Sequence, residues 1–148
     1  MRFIGEKIMV KQLSVFLPNK PGVLAKFTDL LGNNEVNIRA ITVADTADYG
    51  VLRLIVNDPD RCVAILKEEN YLVSETEVLA LQVEDQPGAL HQVAKIMGDS
   101  NINIEYLYST LTAGAAIILM RVNDLEKAVK ILQKNQISVL SGEDVYGI

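Results

Sequence analysis

The sequence predicts an α+β protein of two tandem βαββαβ units, each a ferredoxin-like four-stranded antiparallel sheet with both helices on one face. Three observations carry this: a gapless internal repeat, an identical alternation of strand-like and helix-like apolar spacing in both copies, and turn-forming residues at the same junctions. Pro21-Gly22 recurs 66 positions later as Pro87-Gly88. The same offset carries Leu24 to Leu90, Gly32 to Gly98, Asn37-Ile38 to Asn103-Ile104, and Val56-Asn57-Asp58 to Val122-Asn123-Asp124. No gap is needed from Leu13 to Val73, so the repeats divide the chain as 1–75 and 76–148.

The first strand of each copy is the short β-prone run Gln12 to Leu17, matched by Val78 to Val83. After each Pro-Gly turn, apolar residues fall at helical spacing: Val23, Leu24, Phe27, Leu30 and Leu31, then Ala89, Leu90, Val93, Ile96 and Met97. Gly32 and Gly98 stand where a helix C-cap is expected. Two strands follow, Asn37 to Ala44 and Val51 to Val56, with turn residues between Asp45 and Gly50. Their counterparts are Asn103 to Thr110 and Ala116 to Val122, with Gly114 in the turn. Asp58 and Asp124 are placed to cap the second helices, the former with Pro59 at the first helical position. Final strands are expected near Tyr71 to Ser74 and Ile137 to Leu140. Right-handed crossovers put both helices of a unit on one side of its sheet and leave the other side without a covering layer.

A domain of about seventy residues buries little apolar surface, and 49% hydrophobic residues with a mean hydropathy of +0.20 imply that a further face is buried, against the other half or a second chain. A homodimer is therefore expected. The net charge is −5, with the cations scattered, so no basic stripe exists to neutralise phosphates and nucleic acid is not an expected partner. No apolar run reaches the ~18 residues of a membrane span, so no membrane partner is expected. The start of the chain lacks the apolar stretch of a signal peptide, and the single Cys62 fits a reducing compartment; the expected location is cytoplasmic.

The strand end Asn19-Lys20-Pro21-Gly22-Val23-Leu24, with Val36-Asn37-Ile38 opening the next strand, resembles the ACT domain. So do Asp85-Gln86-Pro87-Gly88-Ala89-Leu90 and Ile102-Asn103-Ile104. The resemblance implies an amino-acid-sensing regulatory domain that serves an enzyme of amino-acid metabolism. It also implies units joined side by side through their second strands, sheets edge to edge, helices on one face. A free amino acid or similar small metabolite would bind at that seam. The loop residues Asn19, Lys20, Gly22, Val23 and Leu24 would lie opposite Asn103 and Ile104. Asp85, Gly88, Ala89 and Leu90 would lie opposite Asn37 and Ile38. Helix N-terminal N–H groups favour a carboxylate, glycine permits close approach, and an Asn amide both donates and accepts.

Asn19 and Asp85 are equally ordinary turn formers, and Asn37 and Asn103 could simply end a loop. The other function class is a structural or oligomerisation subunit of the same fold without a ligand. No Ser-His-Asp set, metal-ligand spacing, P-loop or dinucleotide glycine fingerprint is present, so no enzyme, cofactor or metal is expected. His91 reads as a solvated surface residue and Cys62 as a packed thiol. Arg53 and Arg121 interrupt the apolar third strands, either snorkelling or pairing with an acid.

Overall fold

In a computed structural model the described residues are 9–45, 49–112 and 115–148. The turns expected around 46–48 and at Gly114 lie outside them. The described chain divides into two compact units: Lys11–Thr76 with Tyr146–Ile148, and Glu77–Val145 with residues 9–10.

In the first unit, β1 (Val10–Pro18) pairs antiparallel with β3 (Tyr49–Val56), and β3 with β2 (Ile38–Asp45). The Phe16 N–H donates to the Leu72 carbonyl at 3.2 Å, laying the entry to β4 (Val73–Glu84) along β1. Helices α1 (Val23–Asn33) and α2 (Pro59–Glu68) cover one face. Alternation along the strands sends Leu13, Val15 and Leu17 of β1 and Leu52, Leu54 and Val56 of β3 into one core with Phe27, Leu31 and Leu66. The second unit repeats the plan. There, β4 pairs with β6 (Ala115–Val122) and β7 (Ser138–Leu140), and β6 with β5 (Ile104–Thr112). Its core gathers Leu79, Leu81, Ile118 and Met120 against α3 (Ala89–Asp99) and α4 (Leu125–Lys134). The second strand of each unit is an edge strand: among the described strands, β2 pairs with β3 alone and β5 with β6 alone.

Four features depart from the expectation. The strands expected at Tyr71 to Ser74 and Val78 to Val83 run together as the single twelve-residue β4. The sheet face away from the helices is not bare, since Gln12, Ile55, Ala80 and Leu119 on that side are fully buried. A short helix, α5 (Gly142–Tyr146), follows β7. It opens on a reciprocal cap in which the Asp144 N–H donates to Ser141 Oγ at 3.1 Å and the Ser141 N–H to Asp144 Oδ2 at 3.0 Å, holding that carboxyl below its usual range.

The fourth departure concerns the helix ends. Gly32 and Gly98 lie inside α1 and α3, not at their C-caps. The left-handed residues come three positions later, Glu35 at φ 56° and Asn101 at φ 57°, with Asn70 and Gln136 in the same role after α2 and α4. In each case the following N–H reaches back to close the last turn: Val36 to Leu31, Tyr71 to Leu66, Ile102 to Met97 and Ile137 to Leu132, all at 2.9 Å. These are Schellman closures. The apolar residue after each left-handed position (Val36, Tyr71, Ile102, Ile137) packs into the core of its unit, and that burial fixes where the helix stops.

The caps at the other ends match expectation. Asp58 accepts from the Arg61 N–H at 3.2 Å and Asp124 from the Lys127 N–H at 3.1 Å. Cys62 is fully buried on α2, and burial pushes its thiol up to about 11. His91 is exposed on α3. Arg121 resolves to a backbone partner, donating to the Glu77 carbonyl at 2.9 Å.

Candidate functional site

Each unit turns from its first strand into its first helix through a glycine in the left-handed region, Gly22 at φ 85° and Gly88 at φ 89°. Both glycines are N-caps, and neither helix has a side-chain cap or an acidic residue in its first turn. The contrast with α2 and α4, whose first turns are capped by Asp58 and Asp124, holds in both copies. The loop's backbone bonds run from Lys20 N–H to the Pro18 carbonyl at 3.0 Å and from Val23 N–H to the Lys20 carbonyl at 3.4 Å, repeated as Gln86 to Glu84 at 2.9 Å and Ala89 to Gln86 at 3.3 Å. With no side-chain cap and no first-turn acid, the N-termini of α1 and α3 carry the partial positive charge of a helix end, which favours a carboxylate.

The expected site residues divide into two groups. Asn19, Lys20, Gly22 and Leu24, like Asp85, Gly88 and Leu90, are exposed around this turn, and Val23 and Ala89 are half-buried beside it. Asn37 and Asn103 are exposed at the other end of the sheet. Leu17 pairs with Gly50 on β3 whereas Ile38 pairs with Val56, six residues along, roughly 20 Å at ~3.3 Å per residue. Ile104 is likewise paired at Val122 while Val83 is paired at Ala116. Neither unit alone brings the turn and the asparagine together. Ile38 and Ile104 pack against the helix-side cores of their own units.

Asn57 and Asn123 organise the start of the second strands. Asn57 Oδ1 accepts from the Asn37 N–H at 2.9 Å and its own N–H returns to the Asn37 carbonyl at 3.0 Å; Asn123 and Asn103 repeat this at 2.9 and 3.2 Å. The clasp uses the backbone of Asn37 and the side chain of Asn57. Asn57→Ala and Asn123→Ala are therefore each expected to cost roughly 1–2 kcal/mol of stability, and Asn37→Ala and Asn103→Ala clearly less. Urea denaturation of the four variants checks the ranking. Equal losses would place the Asn37 and Asn103 side chains in the fold itself.

Beside each turn, within its own unit, lies a cleft between the end of the first strand, the first helix and the loop leading to the last strand. The first-copy cleft is about 660 Å³, with Phe16, Leu30, Tyr71 and Leu72 on its wall and Lys26 and Asp29 from α1 at its edge. Its second-copy counterpart is about 360 Å³ and is lined by Gln82, Glu84, Ala89, Gln92, Gln136 and Ser138 among others. Of the residues lining these clefts, sequence reasoning picked out only Val23 and Ala89 as site positions. The available signal was Phe16, a large apolar residue at an outward-alternating position of β1, and Leu72 just before β4; they are 41% and 69% exposed. Among the described residues no group of His, Cys, Asp or Glu is placed to hold a metal, and no helix is long and apolar enough to cross a membrane.

The family model for the ACT domain pair matches residues 8–148. No curated protein matches the sequence. The crystal structure of protein BT0572 from Bacteroides thetaiotaomicron is similar over 96% of this chain and 99% of that one, with 33% identity and a TM-score of 0.92. The regulatory subunit of aspartate kinase from Thermus thermophilus shares the fold at a TM-score of 0.63 with 11% identity, over 86% of this chain and 92% of that one. That from Thermus flavus does so at 0.61 with 13% identity, over 83% and 88%. A duplicated βαββαβ unit whose first helices begin uncapped behind Pro-Gly turns, matched from residue 8 to residue 148, belongs to the ACT domain pair family.

Proposed function

We propose that the chain is a non-catalytic regulatory module that binds a free amino acid or similar small metabolite at its strand–helix turns and reports it to a partner enzyme of amino-acid metabolism. The observation that carries this reading is the paired contrast in capping. In both copies the helix behind the Pro-Gly turn has no side-chain cap, while the other helix has an Asp cap. A carboxylate ligand would complement the positive end of a helix that carries no side-chain cap. The fold shared with regulatory subunits of aspartate kinase supports a regulatory role. Exposed Ile41 and Val43 on edge strand β2 offer an apolar surface for a second copy, which supports a homodimer.

The two turns differ in charge. The first carries Asn19 and Lys20, the second Glu84, Asp85 and Gln86. Cationic Lys20 adds to the helix N-terminus in attracting a carboxylate, and the acidic pair opposes it. The first-copy turn is therefore expected to bind a zwitterionic amino acid more tightly. Lys20→Glu should weaken that site, more strongly at low salt where screening is least. Isothermal calorimetry at two ionic strengths is the test, and affinity indifferent to Lys20→Glu would remove the turn from the site.

A further inference from the structure

We infer that residues Tyr146–Ile148 are a detachable strap that locks the start of edge strand β2, and that the corresponding end of β5 has no such lock. The inference rests on the regulatory reading above only for what the strap would control, the Asn37 end of the first unit. Among the described strands β2 is held through β3 alone, and its ladder is broken near its start. Ile38 pairs with Val56 and Ala40 with Ile55, so Arg39 is the extra residue of a β-bulge. β5 repeats the irregularity, with Ile104 on Val122 and Tyr106 on Arg121, and its extra residue is Glu105. The extra residue of a bulge takes no place in the ladder, so an edge strand opens most easily there.

In the first unit the bulge is tied down. Arg39 is half-buried; its Nε donates to the Tyr146 carbonyl at 2.8 Å and its Nη1 to the backbone oxygen of Ile148. The Lys11 N–H, on β1, donates to the Tyr146 hydroxyl at 2.8 Å. The sheet order puts β3 between β1 and β2, so these bonds carry the strap from one side of β3 to the other. Just before the strap, Val145 has no exposed surface and the reciprocal Ser141–Asp144 cap fixes the start of α5. The strap holds on lightly by comparison: it is the acceptor in each of these bonds, and Gly147 and Ile148 are exposed. A surface contact of that kind opens at a lower free energy than a packed strand.

The second unit cannot copy the device. The 66-residue offset turns Lys11 into Glu77 and Arg39 into Glu105, an exposed carboxylate with no N–H to give a backbone oxygen. The duplication has kept the bulge and exchanged the residue that locks it. Two residues before the bulge, Asn37 and Asn57 clasp each other through the Asn37 N–H to Asn57 Oδ1 at 2.9 Å and the Asn57 N–H to the Asn37 carbonyl at 3.0 Å. Asn103 and Asn123 form the same pair in the second unit. The four amides therefore report opening of the strapped end with an unstrapped end of the same design as reference.

The test is native-state hydrogen exchange of these four amides in the full chain. It compares the natural sequence with Arg39→Glu, which puts the second copy's residue at the bulge, and with Tyr146→Phe, which removes one bond and keeps the ring. In the natural sequence Asn37 and Asn57 should be protected about tenfold more strongly than Asn103 and Asn123. Arg39→Glu should erase that difference and Tyr146→Phe should reduce it, with Asn103 and Asn123 unmoved. Equal protection in the natural sequence, or a difference that survives Arg39→Glu, would overturn the strap. Where circular dichroism shows that Arg39→Glu disturbs the whole fold, Tyr146→Phe decides, and a difference it leaves unchanged would overturn the inference. No amino acid enters the measurement, so the strap and the regulatory reading fail separately.

Discussion

Phe27→Ala is expected to destabilise the first-copy unit by about 3–5 kcal/mol, the cost of emptying a fully buried aromatic position. Phe27 has no exposed surface, packs on the strand residues of its core, and meets Tyr71 edge to face at 5.5 Å and 79°. The aromatic pair is worth roughly another 0.5–1.5 kcal/mol beyond its buried area. Against a total stability of about 5–15 kcal/mol for an ordinary domain, the loss is large. The equivalent position in the second copy is Val93, also fully buried but smaller, so Val93→Ala should cost distinctly less. Chemical denaturation measures both. A Phe27→Ala loss below about 1.5 kcal/mol would mean that the core collapses around the deletion and is not organised by this ring.

Cys62 is expected to make stability fall at alkaline pH. Its thiol titrates at about 11 in the folded protein against an ordinary 9.0, because burial, and then the nearby Asp58 carboxylate, disfavour the thiolate. Below about pH 9 both folded and unfolded chains hold the proton and the contribution is fully present. Between about pH 9 and about pH 11 the unfolded chain loses its proton first, and roughly 2–3 kcal/mol is lost. Comparison with Cys62→Ala, whose stability lacks this titration, separates the thiol from the tyrosines and lysines that ionise in the same range. A thiol reagent at pH 8 should modify the native protein far more slowly than the unfolded one. Parallel stability curves for the two proteins from pH 8 to 11 would contradict the assignment.

Much of the fold is legible in the chain because local chemistry and tertiary structure agree. Pro21-Gly22 and Pro87-Gly88 mark turns that need a left-handed glycine, and Asp58 and Asp124 mark helix starts that need an acceptor. Agreement fails where packing overrules a local signal. Gly32 and Gly98 read as helix ends, yet the helices continue to Asn33 and Asp99 because Val36 and Ile102 must reach the core. Glu35 and Asn101 then accept the left-handed backbone that a glycine would have taken more cheaply. The merging of two strands into β4 has no local marker, because Ser74-Glu75-Thr76-Glu77 reads as a polar linker while its backbone stays extended. The short helix α5 did have a marker, the Ser141-x-x-Asp144 spacing of a reciprocal cap.

Of the expected site residues, only those around the turns lie together within a unit. Asn37 and Asn103 stood out because they recur, but recurrence alone does not separate a ligand-facing amide from a strand start, and the clasping side chains proved to belong to Asn57 and Asn123. The cleft walls were hidden for the opposite reason. Phe16 and Gln82 share no chemistry, so a search for repeated residues passes over the positions where the copies differ.

The most direct test of the regulatory reading is a thermal-unfolding screen of the intact chain against the twenty amino acids, one at a time. A ligand that binds only the folded chain at about a hundred times its Kd stabilises it by about 2.7 kcal/mol, enough to raise the melting temperature by several degrees in a chain of this length. The reading predicts such a shift for one or a few amino acids and none for the rest. Twenty unshifted melting curves at millimolar concentration would contradict it, and would leave the ACT domain pair as a structural subunit with empty turns.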